Sequence, residues 1–198
     1  MKHCADYEAL LKICESRRST RTFDSRPVPE EIIERIKKIA HTSPYASGRK
    51  KWDMIVVADR EALAAMRMAV DRRTGEIQDK IRPDMKGSFD AYARNFSFFA
   101  TAPAVIALVF RAAPSLSLML PEPDGGILQW ERDNYVKSIS CVAMLVLLAA
   151  ESLGLAGCYV TGALIAENEI GRLIRIPQGW SIGALIPIGY KAGGNNDD

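Results

Sequence analysis

"APAVIALVF", residues 102–110, carries no charge and is rich in branched side chains. A continuous apolar run of this length reads as a β-strand buried on both faces, so helices must cover it above and below. "WDMIVVAD" (52–59) and "IGALIPIGY" (182–190) supply two further strands, and a short Gly-rich strand precedes residue 162. Helical spacing fills the rest. "DYEALLKICESR" places Tyr7, Leu10, Leu11 and Cys14 on one face of a helix over about 6–16. In "RPVPEEIIERIKKIAHTSP" (26–44), Pro29 opens a helix, Glu30 and Glu31 suit its positive end, Lys37 and Lys38 its negative end, and Pro44 ends it. "REALAAMRMAVDRR" (60–73) and "AENEIGRLIRIP" (166–177) are also helical. The longest helix, "DNYVKSISCVAMLVLLAAESLG" (133–154), is apolar on nearly every side from Ile139 onward. Such a helix is buried in a core or between subunits. The order of elements predicts an α+β or α/β fold with a small mixed sheet enclosed by helices.

Composition sets the class. The chain has 198 residues, 48% hydrophobic and 25% charged, as in one ordinary globular domain, with "KAGGNNDD" (191–198) a frayed polar tail. A net charge of +2 gives no reason to expect nucleic acid or an anionic membrane as partner. Cys4, Cys14, Cys141 and Cys158 form no CxxC pair, and His3 and His41 are too few to complete a zinc site. Cys141 reads as a small core residue. No signal peptide is evident, and the run 141–150 is too short to cross a bilayer, so the expected compartment is the cytoplasm. No GxxxxGK[ST] or GxGxxG loop is present.

Local charge is uneven. "ESRRSTRTF" (15–23) and "GRKKW" (48–52) concentrate cations in a chain that is otherwise balanced, which suggests a discrete anionic ligand. The competing reading is a solvated charged surface, or arginines paired with Glu15 or Asp24. Residues 111–130, with three prolines and a Gly-Gly, form a long irregular segment of the kind that makes lids and binding loops.

"RRSTRTFDSRPVPEEII" (17–33) resembles the N-terminal signature of the nitroreductase family. "SPYASGRKKWDMIVV", "FFATAPAVIALVF", "AMLVLLAAESLGLAGCYVTGA" and "IPQGWSIGALIPIGY" are similar to later blocks of that family, in the family's order. The resemblance covers most of the chain except 65–95 and 111–132. It implies an α+β three-layer fold with a small mixed, mainly antiparallel sheet enclosed by helices, and a homodimer with the long buried helix at its interface. It also implies a bound flavin mononucleotide (FMN) where the subunits meet, and electron transfer from NADH or NADPH to a small conjugated acceptor such as a nitroaromatic or quinone.

The same resemblance assigns residues. Arg17, Arg18, Ser19 and Arg21 match phosphate and ribityl-side positions, a role suited to guanidinium forks on a near-dianionic monoester. Pro44, Tyr45, Ala46 and Gly48 match the segment lying against the flavin ring, usually from the other subunit. Val160, Thr161 and Gly162 match the stretch whose backbone N–H reaches flavin N5, and a glycine there permits close approach. For Gly162 a strand bulge is the alternative. Asn95 sits where some relatives place a flavin-contacting asparagine. Lys50 replaces a glutamine near the ring, and either raises the flavin potential or points away into solvent. Lys191 is the one basic residue left to stand in for a phosphate contact near the C-terminus. Leu116, Leu118, Met119, Leu120 and Trp130 line either an acceptor pocket or a subunit contact. Two other functions compete: a flavin-binding protein with little turnover, and a basic interaction module using the two cationic stretches.

Overall fold

The structure is a computed structural model, and it describes residues 2–46 and 50–193. Ten helices and strands run in the order α1 (Lys2–Ser16), α2 (Glu30–Ala40), β1 (Trp52–Val57), α3 (Arg60–Gln78), α4 (Lys86–Ala93), β2 (Ala104–Phe110), α5 (Gly125–Ser152), β3 (Ala156–Gly157), α6 (Glu167–Leu173) and β4 (Ser181–Gly189), with short 3₁₀ turns between some of them. The four strands pair antiparallel in the order β1-β2-β4-β3.

All seven residues of β2 are buried, and their alternation explains the three layers. Ala104, Ile106, Leu108 and Phe110 face a core built with α2 and α5, including Ile36, Ile139, Val142 and Val146. Val105, Ala107 and Val109 face a second core with Leu63, Met66 and Val70 of α3 and Ile170 of α6. Each large aliphatic side chain buried here contributes about 1.5–3 kcal/mol relative to exposure. Close packing of α5 on the sheet needs Gly183 in β4, where a Cβ would stand 2.6 Å from Ile139 Cγ2.

Several sequence expectations shift in detail. Helix α1 begins at residue 2 rather than 6, and its Tyr7 and Leu10 are exposed. Helix α2 ends at Ala40, four residues before Pro44. Strand β1 stops at Val57 because Asp59 caps α3, its side chain accepting from the Ala62 amide at 2.8 Å. The irregular segment after β2 ends at residue 124 rather than 130. Asp124 caps α5 by accepting from the Ile127 amide at 2.9 Å, so the helix includes Gly125 and Gly126. Helix α5 therefore has 28 residues, and by length and composition it is long enough to cross a bilayer, unlike the run 141–150 alone. Its nine buried residues, from Glu131 to Ala150, pack it within the fold. It is not buried all round. Lys137, Cys141 and Met144 form an outward stripe, so Cys141 is a surface thiol and not the core residue its sequence context suggests.

Candidate functional site

The segment that follows α1 lies on the edge of the sheet. The Thr20 amide donates to the Gly157 carbonyl at 3.1 Å, and Ser19 bridges Gly157 in a parallel sense. Phe23 then bridges Lys191, the Asp24 amide donates to the Tyr190 carbonyl at 3.0 Å, and the Ala192 amide returns to the Thr22 carbonyl at 3.4 Å. Asp24 pairs with Arg26, whose guanidinium stacks 4.1 Å from the Tyr190 ring centroid. The basic segment is thus clamped between β3 and the end of β4, with Thr20 buried and Arg21 exposed.

Two cavities open along this edge. One, of about 360 Å³, is lined by Arg17, Ser19, Ser140, Met144, Leu147 and Tyr159. The other, about 190 Å³, has Arg21 and Asn95 on its wall with Val160, Thr161 and Gly162. Tyr159 lines both, and its hydroxyl lies 3.4 Å from Ser140 Oγ. The structure therefore brings together Arg17, Ser19, Arg21, Asn95, Val160, Thr161 and Gly162 around one tyrosine. Cys158 reports the same convergence. Burial pushes its thiol up, while Arg21, the Ser19 hydroxyl and Arg17 pull it back down.

The competing account of the arginines, pairing with Glu15 or Asp24, does not hold. Among the described residues no carboxylate forms an ion pair with Arg17, Arg18 or Arg21. Arg18 leaves the cluster by another route, donating to the carbonyls of Glu15 and Arg17 at the end of α1. Arg21 lies 5.9 Å from the Phe98 ring centroid, a contact that leaves its N–H groups available to an anion.

Gly162 is glycine for a reason the sequence does not display. A Cβ there would stand 2.3 Å from Cδ1 of Phe96, so the aromatic wall of the smaller cavity excludes any side chain. Gly162 also opens a 3₁₀ turn, Gly162–Ala166, with Thr161 before it. Neither amide donates to a described residue, so both are available at the cavity wall.

Other expected site residues stand apart. The Ala46 amide donates to Ser138 Oγ at 3.0 Å, and the Tyr45 ring packs 6.0 Å from Tyr135. The Tyr45 hydroxyl reaches the Lys51 carbonyl at 3.4 Å, and burial raises its pKa above the usual phenolic range. Tyr45 and Ala46 thus lie against α5, and none of Pro44, Tyr45 and Ala46 lines either cavity. Gly48 lies outside the described residues. Lys50 donates its ammonium to the His41 carbonyl just beyond α2. Lys191 bridges Phe23 beside the cluster but lines neither cavity.

The loop after β2 is pinned rather than loose. Buried Glu131 accepts from the Ser115 amide at 2.7 Å, the Ser117 amide at 3.1 Å and the Ser117 hydroxyl at 2.6 Å. The Ser117 hydroxyl, ahead of the loop amides, holds the Glu131 carboxyl down at about 2. Leu118, Met119 and Trp130 remain exposed. The sequence reading also missed Tyr159, and Tyr92, Phe96 and Phe98 on the smaller cavity. The last two were within reach, because "NFSFF" sets three aromatics just after Asn95; Tyr92 falls where no family block extends.

The sequence matches the nitroreductase family over residues 14–190. An iodotyrosine deiodinase from Haliscomenobacter hydrossis is 27% identical over 187 residues, covering 91% of this chain and 78% of the relative. A protein from Archaeoglobus fulgidus, provisionally named NADH dehydrogenase/NAD(P)H nitroreductase, is 28% identical, covering 92% and 86%. Among solved structures, a nitroreductase with bound FMN from Desulfitobacterium hafniense superposes with a TM-score of 0.71 at 18% identity, covering 94% of this chain and 91% of that one.

Proposed function

The chain belongs to the nitroreductase family, and from that premise we propose that it is an FMN-dependent oxidoreductase. It passes electrons from NADH or NADPH to a small conjugated acceptor. The observation that carries the reading is the convergence of Arg17, Ser19 and Arg21, without carboxylate partners, beside the free amides of Thr161 and Gly162. A phosphate monoester needs the first group of residues, and an acceptor nitrogen on a planar ring needs the second. The FMN held by the Desulfitobacterium hafniense relative supports this choice of cofactor.

When bound, FMN supplies the redox chemistry, and the protein supplies position and electrostatics. Arg17 and Arg21 neutralise the phosphate, and Ser19 adds a hydroxyl donor. The Gly162 amide fixes the ring by a hydrogen bond, because Phe96 leaves no room for a side chain there. Arg21, near Phe98, keeps positive charge beside the smaller cavity. In this reading the functional unit is a homodimer, and Pro44, Tyr45, Ala46 and Gly48 of one copy complete the site of the other. Tyr7 and Leu10 on α1, with Met144 on α5, are the exposed apolar side chains such a contact would cover. Donor and acceptor use one open face in turn, which gives ping-pong kinetics.

The test is anaerobic titration of flavin-loaded protein with NADH and with NADPH, followed by nitroaromatic, quinone and halogenated-tyrosine acceptors. Bleaching by a nicotinamide and recovery on adding an acceptor is the expected result. A bound flavin that neither nicotinamide reduces would assign the chain to flavin binding without turnover.

A further inference from the structure

Away from the arginine edge, two adjoining cavities surround α6. One, about 370 Å³, lies between α3 and the stretch from Leu164 to Arg172. The other, about 470 Å³, is walled by Ile176, Pro177 and Trp180. They share Glu167, Asn168 and Arg172, so one ligand can occupy both. Each is large enough for part of a small molecule.

The charges here are only partly matched. Arg72 pairs with Glu169, and Arg73 with Glu76. Glu167 is engaged by the backbone, its Oε1 accepting from the Ile182 amide at 2.8 Å. Arg172 and Arg175 have no carboxylate partner among the described residues. Arg175 is also the only described non-glycine residue with positive φ, at 58°. It occupies the left-handed position after α6 that glycine fills at no steric cost. A guanidinium placed there, on a cavity wall, is an outlier that asks for a function.

A short run of backbone separates these cavities from the proposed ring site at Gly162. Gly162–Ala166 is a 3₁₀ turn that runs directly into α6. At about 2 Å per residue in the turn and about 1.5 Å in the helix, Arg172 lies within about 20 Å of Gly162. We propose that the α6 cavities bind the adenosine-phosphate half of the nicotinamide donor, with adenine against Trp180 and phosphate on Arg172 and Arg175. This proposal rests on the nicotinamide-dependent reading above. It gives the donor a handle that the acceptor lacks, so the two substrates can share one face of the ring and still be told apart.

The experiment is calorimetric titration of flavin-loaded protein with ADP, in wild type and in Arg172→Gln, Arg175→Gln and Arg175→Gly. ADP should bind the wild type, and each variant should bind about tenfold or more weakly, the loss of one charge-assisted contact. The Michaelis constant for the nicotinamide should rise by a similar factor, with kcat and FMN affinity unchanged. Arg175→Gly separates binding from folding: its melting temperature should hold or rise while ADP binding falls. No heat with ADP at millimolar concentration, or binding that all three variants leave intact, overturns the proposal. Nicotinamide oxidation with unaltered Michaelis constants sinks the α6 site and leaves the proposed function standing. ADP binding that weakens in the variants, without oxidation of either nicotinamide, overturns the donor assignment together with the proposed function and leaves only a site for adenosine phosphates.

Discussion

Residues 17–21 and residues 50–51 are both basic stretches beside a helix end, and the fold treats them in opposite ways. The first is laid along β3 by its own backbone, through Thr20 and Gly157, so Arg17 and Arg21 project over cavities with no carboxylate near enough to neutralise them. In the second, Lys50 is taken up by the His41 carbonyl beyond α2, and the Lys51 carbonyl accepts from the Arg111 amide at 2.9 Å. The proposed phosphate contacts are thus cations held by their backbone over a cavity with their own charge unpaired. That difference can be attacked directly.

The largest effect is expected at Arg21. Arg21→Ala should weaken FMN binding by roughly 1.5–3 kcal/mol, the value of a charge-assisted contact, and leave riboflavin binding nearly unchanged. Fluorescence titration with both ligands checks this, and equal losses would detach Arg21 from the phosphate. Gly162→Ala comes next. The added methyl collides with the Phe96 ring, so stability in urea should fall by about 1–3 kcal/mol and flavin binding with it. Adding Phe96→Leu should restore part of the stability. If Gly162→Ala alone costs nothing, the glycine is not held by Phe96.

Glu131 makes the comparison from the acidic side, as a buried charge satisfied wholly within the chain. Its folded pKa of about 2 lies below the usual 4.5, so its contribution is complete above about pH 4.5 and is lost as the pH falls toward 2. The protection of the Ser115 and Ser117 amides, taken as exchange relative to the unprotected peptide rate at each pH, should therefore fall over that window in the wild type. In Glu131→Gln that protection should be low and constant across the same window. A wild-type loop that stays protected at pH 2 would show that other contacts hold it. The smallest effect is expected at Lys50. Its ammonium already has a backbone partner, so Lys50→Gln should lower the flavin midpoint potential only slightly. An unchanged potential with intact flavin binding would place this lysine outside the electrostatics of the site.

The layers of the fold were legible because "APAVIALVF" and the stripe of α2 each have one physical reading. Residues 102–110 can only be doubly buried, and β2 is. Helix α5 was legible in kind but not in length. Glu131, which falls between the irregular segment and the helix expected from sequence, proves to be the staple for residues 115–117. Cys141 misled for a related reason: an apolar neighbourhood in sequence does not say which stripe of a helix is left uncovered. In the site, the arginine spacing was visible, but Arg18 caps α1 while its neighbours do not, and only the path of the backbone decides that. Gly162 was visible as a glycine, whereas its cause, Phe96, lies 66 positions earlier in the chain. Tyr159 carried no signal beyond its place before Val160.

The central claim is that the sheet edge at Arg17, Ser19 and Arg21 is a phosphate site joined to a ring site at Gly162. Parallel titration of the apoprotein with FMN and with riboflavin, followed by quenching of flavin fluorescence, addresses both halves at once. FMN should bind at least about tenfold more tightly than riboflavin, and the advantage should shrink as salt is raised. Equal affinities for the two flavins, or no binding of either, would contradict it.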